Sequence, residues 1–86
     1  MNLLFTEDAW EDYIYWQTTD KNILKKLNIL LKEIQRTPYA GIGKPEPLKH
    51  KLQGCWSRRI TDEHRLVYEI TEDTLRIIGC RFHYSS

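Results

Sequence analysis

The chain has 86 residues and a mass of 10.4 kDa, which leaves room for one hydrophobic core and no second one. Apolar residues at 41% and charged residues at 29% exclude a disordered chain. The net charge of +1 hides a strong ordering: residues 1–20 carry −5, residues 21–61 carry +8 and residues 62–86 carry −2.

The N-terminus has no basic stretch and turns acidic at Glu7-Asp8, so it does not read as a signal peptide. No apolar run approaches the roughly 18 residues that a membrane span needs. The expectation is a cytoplasmic protein with a single domain over residues 1–86. Leu3-Leu4-Phe5 reads as a first strand. Thr6 can cap a helix whose first turn holds Glu7 and Asp8, where carboxylates favour the positive end of the helix dipole. That helix is expected to run to about Gln17, with Trp10, Tyr13, Ile14 and Trp16 on its apolar side, before Thr18-Thr19-Asp20 breaks it. Ile23, Leu24, Leu27, Leu30, Leu31 and Ile34 then form one stripe of a second helix, ended by Thr37-Pro38.

Residues 37–53 hold Pro38, Gly41, Gly43, Pro45 and Pro47, so a regular element is not expected through most of that stretch. The prolines argue for a stiff loop that presents Glu46 between two of them. Cys55–Ile60, Arg65–Thr71 and Thr74–Arg81 read as three strands of a meander. Leu66, Tyr68 and Ile70 give the middle strand one apolar face. A three-residue loop, Asp62-Glu63-His64, would pair Ile60 with Leu66 and place Arg59 and Arg65 on the opposite, open face. His64 reads there as an ordinary loop residue. The fold class expected is α+β, with two N-terminal helices on one face of a mainly antiparallel sheet.

Cys55 and Cys80 lie too far apart, and without companions, for a zinc site, and read as buried thiols. No G-x-G-x-x-G or P-loop spacing occurs, and no cofactor is expected. The +8 middle segment points to a polyanion or an acidic partner, or else to a solvated helix face with scattered surface charge. Glu46, Lys49 and His50 from the loop, Arg59 and Arg65 from strands, and Arg81, His83 and Tyr84 from the chain end can gather on the open face.

A carboxylate, an imidazole and guanidinium groups suit cleavage of RNA, whose 2′-hydroxyl is an internal nucleophile. A base takes the hydroxyl proton, an acid protonates the leaving 5′-oxygen, and cations hold the charged phosphorane. Each residue also has a plainer reading. Glu46 can be a solvated turn acid, Arg65 a surface ion-pair partner, His83 an exposed chain-end residue and Tyr84 a packing residue. Trp10, Trp16 and Trp56 fit core or interface positions better than base stacking. Residue types and positions alone reach a ribonuclease without a metal site, or an RNA-binding module.

Four stretches carry a resemblance: E-D-Y-x-Y-W-Q-x-x-D-K (11–21), R-T-P-Y-x-G-x-G-K-P-E-P-L-K-H (36–50), G-C-W-S-R-R-I-T-x-E-H-R-L-V-Y (54–68) and C-R-F-H-Y (80–84). Together they resemble the YoeB (Txe) toxins, of the RelE superfamily of bacterial toxin–antitoxin systems, over residues 3–84. The resemblance implies a ribosome-dependent, metal-independent endoribonuclease that cuts mRNA in the decoding site and halts translation. It implies Glu46 as general base, Arg65 on the scissile phosphate, His83 as general acid and Tyr84 in positioning substrate. Lys49 and Arg59 match phosphate-contacting positions, and Lys44, His50 and Lys51 are further RNA or ribosome contacts. The implied partners are the ribosome and its mRNA, an antitoxin of the Phd/YefM type and a second copy of the chain, with no membrane. The chain departs from the family pattern by continuing past His83-Tyr84 with Ser85-Ser86.

Overall fold

A computed structural model describes residues 1–83. In chain order the elements are β1 (Asn2–Phe5), α1 (Glu7–Thr19), α2 (Lys21–Arg36), β2 (Glu46–Pro47), a 3-10 turn (His50–Leu52), β3 (Trp56–Arg59), β4 (Arg65–Thr71) and β5 (Thr74–Gly79). Thr6 caps α1 as expected, its Oγ1 accepting the Ala9 amide at 3.2 Å. The same hydroxyl donates to the Ile78 carbonyl, which ties the helix start to the sheet. The first helix continues to Thr19, two residues beyond Gln17, and the break is a single residue. Asp20 ends α1 and begins α2, where its carboxylate accepts the amides of Asn22 and Ile23.

Only Ala9 and Trp16 of α1 are fully inside; Trp10 and Ile14, expected on the apolar side, are exposed. Trp10 instead stacks on Tyr13, with Phe5 against both rings. The stripe of α2 is as its spacing predicts, with Leu27, Leu30, Leu31 and Ile34 buried. These residues meet Leu66, Tyr68, Leu75 and Ile77 of the sheet to form the core.

The sheet has the order β1-β5-β4-β3-β2. β1 runs parallel to β5 and every other pair is antiparallel, so the sheet is mixed and mostly antiparallel. β2 occupies an edge, the position where Pro47 costs no ladder bond on a further strand. The β3–β4 hairpin departs from the sequence expectation. Arg58 pairs with Leu66 and Arg59 with Arg65, so Ile60 meets His64 rather than Leu66. The register differs by two positions, which leaves every side chain on its expected face. The face away from the helices is not wholly open either, because Ser57 and Val67 on it are buried.

Arg58, counted among the middle-third cations by sequence, is fully buried. Its guanidinium donates to the carbonyls of Thr37, Ala40 and Ile42 and to the Tyr68 hydroxyl. Tyr68 in turn donates to the Pro38 carbonyl at 2.7 Å. The stiffness of the loop after α2 therefore comes from two core side chains gripping its backbone as well as from prolines. Gly41 sits within this grip at φ +110, and a Cβ there would lie 2.8 Å from Glu33 Oε1.

Both thiols are free and buried, and burial raises their pKa, that of Cys80 to about 12. The reactive thiolate is thereby disfavoured at neutral pH. The folded protein is expected to resist iodoacetamide at Cys55 and Cys80, with labelling appearing only in denaturant. Mass spectrometry before and after unfolding checks this, and rapid labelling of the native protein would contradict it.

Candidate active site on the outer sheet face

Register decides which side chains share the outer face. Glu46 pairs with Ser57, and Ser57 with Val67, so these three form one row across β2, β3 and β4. Arg59 and Arg65 form the next row as direct cross-strand partners. Residues two apart on a strand are separated by ~7 Å, so the Glu46 row and the arginine row are immediate neighbours. The carboxylate and the two guanidinium groups are therefore based on one surface. Among the described residues, Glu46 makes no hydrogen bond to Arg65 or His83.

Arg65 and His83 come closer together. Arg65 Nη1 donates to the carbonyls of Thr61 (2.7 Å), Asp62 (3.0 Å) and His64 (3.2 Å), which curls the side chain over the β3–β4 loop. His83 Nε2 lies 3.1 Å from the same Asp62 oxygen, so one carbonyl holds both. That loop is itself shaped by Thr61, whose Oγ1 accepts the amides of Glu63 and His64.

The segment carrying His83 is tied down at two peptides. Cys80 donates its amide to Asp12 Oδ2 at 3.0 Å, and its carbonyl accepts Trp16 Nε1 at 2.8 Å. Burial holds the Asp12 carboxyl above the usual carboxylate range, against the pull of this hydrogen bond and of Arg81. Two residues on, the Phe82 amide donates to His64 Nδ1 at 2.8 Å and its carbonyl accepts the Arg65 amide at 3.1 Å. Arg81 lies over the Tyr15 ring, with its Cζ 3.6 Å from the ring centroid, and does not join the outer face as the sequence suggested.

The remaining basic candidates occupy two ends of β2. Lys44 precedes β2 in a left-handed turn with φ 51, near where the Arg59 amide bonds the Gly43 carbonyl. Lys49, just before the 3-10 turn, and His50 and Lys51 within it follow β2 at the end where Leu48 bonds Cys55, so they lie beyond Glu46 from the arginine row. Tyr84, expected in substrate positioning, lies outside the described residues.

Sequence reasoning missed two residues that build this site, Arg58 beneath the loop and His64 beneath the chain end. Both were visible in the strand alternation. Trp56, Arg58 and Ile60 alternate on one strand, and His64, Leu66, Tyr68 and Ile70 on the run that follows, and each set contains core positions.

Among the described residues no helix is long and apolar enough to cross a membrane. A family model described as YoeB-like toxin of bacterial type II toxin-antitoxin system matches residues 5–84. Toxin YoeB of Escherichia coli K12 is 62% identical over 84 residues, covering 98% of this chain and 100% of that protein. Among solved structures, a YoeB/ParE toxin from Agrobacterium tumefaciens superposes with a TM-score of 0.95 at 51% identity, over 98% of this chain and 100% of its own. Staphylococcus aureus YoeB, solved as a dimer, gives a TM-score of 0.91 at 49% identity over 98% of both chains. The same protein in complex with YefM gives 0.90 at 48% identity, again over 98% of both. With the mixed sheet, its two covering helices and near-complete coverage in agreement, the chain belongs to the YoeB-like toxins of bacterial type II toxin–antitoxin systems.

Proposed function

We propose that residues 1–86 act as one toxin domain, a ribosome-dependent endoribonuclease that cuts mRNA in the decoding site and so stops translation. The observation that carries this reading is the shared Asp62 oxygen, at which the Arg65 guanidinium and the His83 imidazole meet, with Glu46 based on the same sheet face one row from the Arg65 backbone. In the reaction, Glu46 takes the proton of the 2′-hydroxyl as its oxygen attacks the adjacent phosphorus. The bond to the 5′-oxygen breaks, and His83 supplies the proton that this leaving oxygen needs. Arg65 and Arg59 face the phosphorane, where fixed cations stabilise charge that peaks in the transition state. Tyr84 helps to position substrate. Lys49, Lys44, His50 and Lys51 extend the cationic surface along the edge strand for RNA or ribosomal contact. The products are a 2′,3′-cyclic phosphate and a free 5′-hydroxyl, and the protein groups supply all the proton transfers.

The Staphylococcus aureus relative, solved as a dimer and with YefM, supports two partners for this chain: a second copy of itself and an antitoxin of the Phd/YefM type. An acidic antitoxin segment laid along the sheet edge past Lys44, Lys49, Lys51 and Arg59 would neutralise these cations and cover the RNA surface in one step.

The test adds purified protein to translating ribosomes and maps the 5′ ends of ribosome-bound mRNA. Discrete new ends within the decoding-site codon are expected. Intact mRNA on arrested ribosomes would replace this reading with that of an inhibitor that binds without cutting.

A further inference from the structure

We propose that His64 is a positioning residue: by accepting the Phe82 amide on its ring nitrogen, it sets where the His83 imidazole sits. This rests on the reading of His83 as the general acid. Phe82 is the residue that needs explaining. Its φ is 63, in the left-handed region that an aromatic side chain rarely adopts, and its own ring is half exposed and buries little in return. The turn it makes is what sends the chain back to the β3–β4 loop, where His83 Nε2 reaches the Asp62 carbonyl.

A hydrogen bond on each side of Phe82 holds that turn. The carbonyl is taken by the backbone amide of Arg65, which any residue at 65 would supply. The amide is taken by His64 Nδ1 at 2.8 Å, which depends on the side chain. His64 is built for this task. Its ring is buried, edge-on to Trp16 at 4.7 Å and against Phe82 at 5.4 Å, and its own amide is fixed by Thr61 Oγ1. Acceptance at Nδ1 requires the proton on Nε2, and Glu63 Oε1 lies 3.4 Å from that nitrogen. Asp12 on α1 and Arg81 on the chain end are the other charged groups near this ring.

The geometry separates two conservative variants. In His64→Asn the amide oxygen falls where Nδ1 stood, so an acceptor for Phe82 remains. In His64→Gln the polar group falls near the Nε2 position and the Phe82 amide loses its partner, while more of the packing against Trp16 is kept. A role confined to packing ranks the variants the other way.

The experiment uses the full chain as wild type, His64→Asn and His64→Gln, with hydrogen exchange of the Phe82 amide followed by NMR and mRNA cutting followed on ribosomes. Slow Phe82 exchange is expected in wild type and His64→Asn, and fast exchange in His64→Gln. Cutting is expected within a few-fold of wild type for His64→Asn and down by about 10²-fold for His64→Gln, the scale of a 1 Å misplacement of a reacting group. The proposal is overturned if His64→Gln keeps wild-type cutting, or if both variants lose cutting and shielding alike. If wild type itself makes no cuts, the ribonuclease reading falls. Exchange at Phe82 then still decides the seating, and equal protection in all three proteins rejects it.

Discussion

Glu46→Ala and His83→Ala should each slow mRNA cutting by about 10²–10⁴-fold, the contribution typical of one positioned proton-transfer group. Both side chains are exposed, so neither substitution opens a core cavity, and melting temperatures should stay close to wild type. That separation matters, because a drop in cutting with the fold intact cannot be charged to unfolding. If Glu46 and His83 serve one displacement as base and acid, the double variant should cost less than the product of the single effects. Single-turnover rates of 5′-end formation, with thermal melts of the same preparations, check the pair. Wild-type rates in both single variants would remove the assigned roles, whereas loss from His83→Ala alone would leave the acid in place and send the search for the base elsewhere.

The largest stability effect is expected at Arg58, a residue with no part in the chemistry. Replacing it with methionine, which keeps much of its length and none of its donors, leaves the carbonyls of Thr37, Ala40 and Ile42 and the Tyr68 hydroxyl without their shared partner. Each buried polar group left without its hydrogen-bond partner costs about 1–3 kcal/mol, so losing several together removes a large share of the stability of a domain this small. Arg58→Lys should also fail, because one ammonium has three donors on a single atom and cannot span four acceptors placed around a planar fork. Denaturant melts give the number. A loss below about 1 kcal/mol for Arg58→Met would mean that water satisfies these carbonyls and that the loop stands without the arginine. Because β2 and Glu46 follow directly from the gripped loop, Arg58→Met should reduce cutting as well, even under conditions where most molecules remain folded.

Much of the architecture can be read from local pattern. The stripe of α2 is legible because six apolar residues repeat at helical spacing and end at Thr37-Pro38. Thr6 and Asp20 are legible as caps because short oxygen-bearing side chains satisfy the unpaired amides of a helix start. The apolar side of α1 is not legible in the same way. Its aromatics are spread around the helix, and tertiary contact with Cys80 and His64 selects Trp16 alone among its large side chains for the interior. The hairpin register is misjudged by two positions because face alternation survives a two-residue shift, and only the loop geometry at Thr61 distinguishes the options.

The site shows the same division. Glu46, Arg59 and Arg65 are placed on one face by strand parity, which sequence carries. The seating of His83 on the Asp62 carbonyl depends on a left-handed Phe82, and no residue type at position 82 announces that. Strand alternation puts Arg58 and His64 on the core face, but their residue types argue against it. A cation and an imidazole read as surface residues until their hydrogen-bond partners, which lie up to 21 positions away in the chain, are known.

The central claim is that these side chains act on a single phosphate through its neighbouring 2′-hydroxyl. It is tested most directly by placing one 2′-O-methyl group on the nucleotide just before the mapped cut, in mRNA on programmed ribosomes. The account predicts that cutting at that bond disappears, while cuts at unmodified positions, and their 2′,3′-cyclic phosphate ends, persist. Undiminished cutting at the methylated position would contradict it.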